Sequence, residues 1–167
     1  LGFKAAASKC DVKSQSDLTL GSVKWTSEAS QCEWNGGNVT MTTFDVDSEA
    51  GGLELNLTSL TASRLRWENQ AGKIEAKIGE LTLAAGGDNS VDFENSAGAM
   101  DISIDRMKHP SVHAAMQMGK IDLQIGDRHE SLAGMSDERD IEGPSGSPRI
   151  NVNLEAGKID LKITKPL

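Results

Sequence analysis

The sequence predicts an all-β chain wound as a single-stranded parallel β-helix of about five to seven irregular coils. Three observations lead there. First, one short segment recurs five times: Gly51-Gly52-Leu53-Glu54-Leu55-Asn56-Leu57, Gly72-Lys73-Ile74-Glu75-Ala76-Lys77-Ile78, Gly98-Ala99-Met100-Asp101-Ile102-Ser103-Ile104, Gly119-Lys120-Ile121-Asp122-Leu123-Gln124-Ile125 and Gly157-Lys158-Ile159-Asp160-Leu161-Lys162-Ile163. In every copy the second, fourth and sixth positions after the first glycine are apolar and the third is Asp or Glu, the period-2 signature of a strand with one buried face. Second, these glycines are spaced by 21, 26, 21 and 38 residues, a loose period of the kind stacked repeats show. One repeat cannot bury its apolar row alone, so neighbours must stack, and in sequence order equivalent strands would pair in parallel. Third, Val46, Trp67 and Phe93 each stand five positions before a repeat glycine and begin a second apolar row. The interval from Phe93 to Met100 is odd, so side-chain parity switches at the glycine. That predicts a corner between two strands, with glycine adopting a backbone shape other residues resist.

Taken along the chain, residues 1–37 are the least regular, and are expected to form an N-terminal cap. Asp17-Leu18-Thr19-Leu20-Gly21 resembles a degenerate strand and turn, and Trp25 and Trp34 are expected to plug the open end of the stack. From Val39 to Ile125 the coils follow closely, separated by turn signals at Gly36-Gly37, Gly86-Gly87-Asp88-Asn89 and His109-Pro110. Residues 127–148 are polar and rich in Gly and Pro. They read as an exposed loop inserted in the last turn, with a short helix around residues 136–141, and deleting residues 128–147 should leave the fold intact but abolish partner binding. The pattern resumes at Arg149 and ends at Ile163, so the C-terminal strand edge is expected to lie open to end-to-end association. The whole chain, 1–167, reads as one domain.

A net charge of -8 with no basic cluster, and only three Trp, three Phe and no Tyr, argue against a nucleic-acid surface or an aromatic sugar cleft. No apolar run reaches the 18 residues of a membrane-spanning helix. Cys10 and Cys32 are 22 residues apart, close to one repeat length, so stacking would bring them together as a disulfide in an exported protein.

The candidate binding residues are the acids of the third position, Glu54, Glu75, Asp101, Asp122 and Asp160, together with Arg128 and His129 of the 127–148 segment. Carboxylates stacked about 5 Å apart repel one another. The flanking Lys73, Lys77, Lys120, Lys158 and Lys162 are the expected compensation, with bound calcium as the alternative. His109 and His113 have a proline between them and do not form a helical metal pair. No catalytic residue and no cofactor is assigned; Asp127, His129 and Ser131 have the residue types of a hydrolytic triad but stand in a segment without fixed geometry.

The Ala-Gly-Lys-Ile-Asp-Leu-Lys-Ile type of repeat resembles that of bacterial adhesin-like families, also called toast-rack or head-domain adhesins, over residues 38–164. The resemblance implies a β-helical stack in a cell-envelope protein and brings no catalytic residues. The expectation is an exported, periplasmic or cell-surface, non-enzymatic binding or structural module, whose partner is a surface protein or glycan. The alternative is a polysaccharide-acting enzyme using two carboxylates of the row.

Overall fold

The computed structural model describes residues 2–5, 9–14, 16–84 and 90–167, with the side chains of residues 3–5 and 10 outside that description. Every regular element among them is a strand: β1 (Gly2–Ala5), β2 (Lys9–Ser14), β3 (Leu18–Thr19), β4 (Ser22–Ser27), β5 (Gln31–Thr40), β6 (Thr43–Ser48), β7 (Gly52–Ala62), β8 (Arg64–Asn69), β9 (Lys73–Leu83), β10 (Ser90–Asn95), β11 (Ala99–Met107), β12 (Ser111–Ile125), β13 (Arg128–Ile141), β14 (Arg149–Leu154) and β15 (Lys158–Pro166). They form one 15-stranded sheet in which every pairing but β12–β13 is parallel, and which does not close on itself. This all-β architecture is consistent with a β-solenoid.

Each repeat contributes two legs that meet at a corner. The first legs stack as β1-β4-β6-β8-β10-β14 and the second as β2-β5-β7-β9-β11-β15, and the single strand β12 joins both ends, pairing β14 through residues 111–116 and β15 through 120–125. Period-2 patterning sends one row of each leg inward. On the second legs, equivalent positions run Leu53, Ile74, Met100, Ile159, Ile121 across successive strands. On the first legs they run Val23, Phe44, Leu65, Val91, Ile150, Val112. All belong to one buried core. The two legs face each other across it. Trp34 of β5 stacks on Trp25 of β4 at 6.4 Å between ring centroids and meets Phe44 of β6 edge-on at 5.8 Å; Phe44, Trp67 and Phe93 continue the column at 5.7 and 5.4 Å. Such edge and offset contacts add to the large area each ring buries.

The corner glycines are all required by a close approach, and Gly119 (φ 128°) and Gly157 (φ 108°) also adopt the backbone shape expected of them. Gly51, Gly72 and Gly98 do not adopt positive φ. A Cβ on Gly72 would lie 2.0 Å from the carbonyl oxygen of Gly51, one on Gly98 2.1 Å from that of Gly72, one on Gly157 2.2 Å from that of Gly98, and one on Gly119 2.3 Å from that of Gly157. The glycines stack directly over one another, leaving no room for a side chain. Beside them, buried Asn69 and Asn95 fasten successive corners. Asn69 donates to Asn95 Oδ1 (2.8 Å) and to the Gly72 carbonyl (2.9 Å), and Asn95 donates to the Gly98 carbonyl (2.8 Å). Each Asn also accepts from the amide of its own corner glycine, so these buried side chains satisfy turn backbone that the ladder leaves over.

Four expectations are revised. Rungs do not stack wholly in sequence order: β14 and β15 enter between β10/β11 and β12, so the last coil in sequence is the last but one in space. Residues 128–141 form a strand, β13, antiparallel to β12, where a loop with a helical turn was expected. The C-terminal strand β15 is therefore enclosed between β11 and β12, and the terminal edge belongs to β13. Finally, Trp25 and Trp34 are not end plugs. They lie in the second rung, with β1 and β2 stacked outside them, and residues 22–40 pair in the same register as the later repeats. The β3 pairing to β5 at Leu18–Val39 agrees with the short strand expected near Leu18. The turn expected at 86–89 lies outside the described residues.

Candidate functional site

The outward row of the second legs is the most regular surface of the molecule. Because the five acids occupy one position of a strictly registered repeat, they form a column, and the register extends it by two that the repeat alone did not reveal: Asp11 pairs with Glu33 and Glu33 with Glu54. The spatial order is Asp11, Glu33, Glu54, Glu75, Asp101, Asp160, Asp122. Recognising that β2 and β5 carry Lys-Cys-Asp and Gln-Cys-Glu, the same polar-apolar-acidic pattern without the glycine, would have found them.

Three kinds of neighbour offset the repulsion along this column. Lysines two positions away on the same strand pair with Asp11 (Lys13, 2.9 Å), Glu75 (Lys73, 2.8 Å; Lys77, 3.3 Å), Asp160 (Lys158, 2.6 Å) and Asp122 (Lys120, 2.7 Å). Glu33 and Glu54 instead accept from the amides of Asn35 and Asn56, and Asn56 donates on to Asn35 (3.0 Å). Asp101 has only Ala99 and Ser103 at the flanking positions of its own strand. At the end of the column Ser131 of β13 donates to Asp122 (2.7 Å). Hydrogen bonds from Lys73 and Lys77 hold the Glu75 carboxyl below the usual glutamate range. For Asp122 burial pushes upward, but hydrogen bonds from Lys120 and Ser131 outweigh it and the carboxyl lies below its ordinary value.

This arrangement predicts a contrast. Glu75→Gln leaves two lysines without their acid, whereas Asp101→Asn removes a carboxylate that has a carboxylate on either side and no lysine on its own strand. At neutral pH Glu75→Gln should cost about 1 kcal/mol more than Asp101→Asn, read from urea unfolding midpoints. A depressed folded pKa contributes stability above the unfolded value of about 4.3 that is lost as pH falls through the folded pKa, so the cost of Glu75→Gln should shrink as pH drops below about 4 and vanish once the pH is below that lower folded pKa. Equal costs at neutral pH, or a cost that persists in acid, would count against the lysine pairing.

The strand β13 assembles the other candidate residues. Arg128 lies opposite Ile125 and Glu130 opposite Leu123, on the row that covers the end of the core, and the two side chains pair at 3.2 Å. His129 is exposed opposite Gln124. The Ser131 hydroxyl is given to Asp122, so the residues of a triad type are not assembled as one. On the other leg β13 brings Asp140 directly opposite His113 on β12, with Glu138 two residues along. His113 Nδ1 is 2.8 Å from Asp140 Oδ1 and 3.8 Å from Glu138 Oε1. This group was not legible in the sequence, because nothing marked 128–141 as a strand that would reach His113. His109 stays apart, its ring on the Pro110 carbonyl. An open groove beside the His113 group is walled by Ser111, His113, Asp140, Gly143, Arg149 and Asn151.

Cys32 is disulfide-bonded, and the backbone register puts Cys10 directly opposite it on the neighbouring strand; the Cys10 side chain lies outside the described residues. No helix of the described residues is long and apolar enough to cross a membrane. No protein-family profile, curated protein or solved structure matches the chain.

Proposed function

We propose that this chain is a β-helical, adhesin-like binding or structural module of an exported or cell-surface bacterial protein, without catalytic activity of its own. The observation that carries the reading is the outward face of the second legs: seven registered rungs presenting an acidic column with lysines on either side. A rigid parallel stack repeats its side chains every ~4.8 Å, which suits an extended, periodic partner such as a surface glycan, contacted through many weak polar interactions rather than one enclosed pocket. The bonded state of Cys32 supports an oxidising compartment. Calcium fits this column poorly, because lysines hold the carboxylates of Glu75, Asp160 and Asp122 and amides hold Glu33 and Glu54. A polysaccharide-cleaving reading is less well supported. Asp122 and Asp160 are immediate neighbours within one column, each paired with its own lysine, whereas glycosidase carboxylates stand apart across a substrate.

The test is binding of the full chain to an array of bacterial surface glycans, alongside the double variant Lys73→Ala/Lys158→Ala. Salt-sensitive binding that the double variant loses while keeping its circular dichroism supports the module. Release of new reducing ends from any arrayed glycan, or binding that the double variant retains in full, overturns it.

A further inference from the structure

The geometry points to a divalent metal site formed by His113, Glu138 and Asp140, in which a zinc-like cation clips the edge strand β13 to β12. The ligand atoms of the three side chains all lie within 4.8 Å of one another. Around a tetrahedral ion with ligand distances near 2.0–2.2 Å, donors sit about 3.4 Å apart. The observed 2.8 Å and 3.8 Å from His113 Nδ1 bracket that value, so small rotations of the exposed carboxylates would admit the ion in place of the His113–Asp140 hydrogen bond. One imidazole nitrogen with two carboxylate oxygens suits zinc and its borderline neighbours, and is a poor set for calcium or magnesium, which take oxygens. Glu138 and Asp140 are both 66% exposed and His113 39%, so water can complete the coordination.

The cluster is not part of the periodic surface. Its row on the first legs runs Lys24, Asp45, Arg66, Asp92, Asn151, His113, with histidine only at the last rung. Asn151, opposite His113 on β14, gives its amide to Asp92 at 2.7 Å, so the neighbouring rung is already satisfied and does not draw the imidazole inward. Among the described residues, Arg149 is the one Lys or Arg side chain that lines the adjoining groove. A bound cation would neutralise the two acids while tying the outermost strand to the stack.

The experiment is calorimetric titration of the chelator-treated full chain with zinc chloride at neutral pH, with thermal unfolding in the presence and absence of the ion. The expected result is one zinc per chain, a raised unfolding midpoint, and at least tenfold weaker binding in His113→Gln and in Asp140→Asn. His129→Gln, outside the cluster, should bind as the unaltered chain does. The zinc-dependent part of the midpoint shift is what decides, since a merely structural His113–Asp140 hydrogen bond would alter only the metal-free midpoint. If His113→Gln folds poorly, Glu138→Gln serves in its place. No zinc binding at millimolar concentration, undiminished binding in these variants, or an equal shift with calcium would overturn the site.

Discussion

Replacing Gly72 by alanine should lower the stability of this domain by about 3 kcal/mol or more, a larger effect than is usual for adding one methyl group. The new Cβ would stand 2.0 Å from the Gly51 carbonyl oxygen, and the Gly72 carbonyl itself lies 2.1 Å from the Cβ position of Gly98. Both neighbours are backbone in registered parallel strands, so neither can turn aside as a side chain would. Relief requires separating rungs, which stretches the ladder bonds that Lys73 N–H donates to the Gly51 carbonyl (3.0 Å) and Ala99 N–H to the Gly72 carbonyl (3.1 Å). It also disturbs the Asn69 bonds to both backbone groups of Gly72. Gly37→Ala is the control. That site has nothing nearer than 4.0 Å and no positive φ, so the substitution should change stability by less than about 1 kcal/mol. Urea unfolding of both variants with unchanged denaturant dependence would give the comparison. A Gly72→Ala protein as stable as the control would mean that the corner glycines do not set the rung spacing.

The recurrence of that glycine was the clearest signal in the chain, and it located the strands because alternation at Ile74-Glu75-Ala76-Lys77-Ile78 reports which face is buried whatever the strand pairs with. Its physical cause was legible only in part: positive φ, the expected reason, occurs at Gly119 and Gly157, while close approach operates at every corner. A glycine needed for dihedral freedom and one needed for close approach look the same in a sequence. Rung order was hidden for a related reason. Ile121-Asp122-Leu123 and Ile159-Asp160-Leu161 carry equivalent side chains into equivalent columns, so either could follow Met100-Asp101-Ile102, and only the 38-residue spacing hinted at an exchange. The strand β13 escaped because it is terminal. It has stack on one side only, so just Leu132 and Ile141 are buried along it, and an alternating apolar row never appears. With β13 read as loop, the Ser131–Asp122 contact and the His113–Glu138–Asp140 group could not be seen, although the acidic column was.

Deleting residues 128–147 should abolish cooperative folding, the reverse of what a loop reading implies. The segment is the strand that finishes the stack. It pairs with β12 from Val112–Ile141 to Ile125–Arg128, and it buries Leu132 and Ile141 against the terminal rung. Its other inward positions face the end of the core with charge, Arg128 and Glu130 over Ile125 and Leu123, and Asp137 and Arg139 over Met116 and Ala114. Inward charges on an edge strand are a way of refusing further strand addition, so the native terminus is built against end-to-end growth. Chain geometry adds to the cost. Leu57 to Arg64 and Ile104 to Ser111, which return the chain from the end of the repeat motif to the next first leg, each take seven positions. The deletion would leave four from Ile125 to Arg149, too few to seat β14 and β15 between β11 and β12. With that slot unfilled, β10 and β11 would expose open edges over an apolar core, and light scattering should show association as circular dichroism loses its sharp thermal transition. A deletion protein that stays monomeric and unfolds in one cooperative step would show instead that β13 is dispensable. A milder variant separates capping from connectivity: Leu132→Asp keeps the chain length but puts an unpaired charge against Ile121, and should lower stability by about 3 kcal/mol while leaving rung order intact.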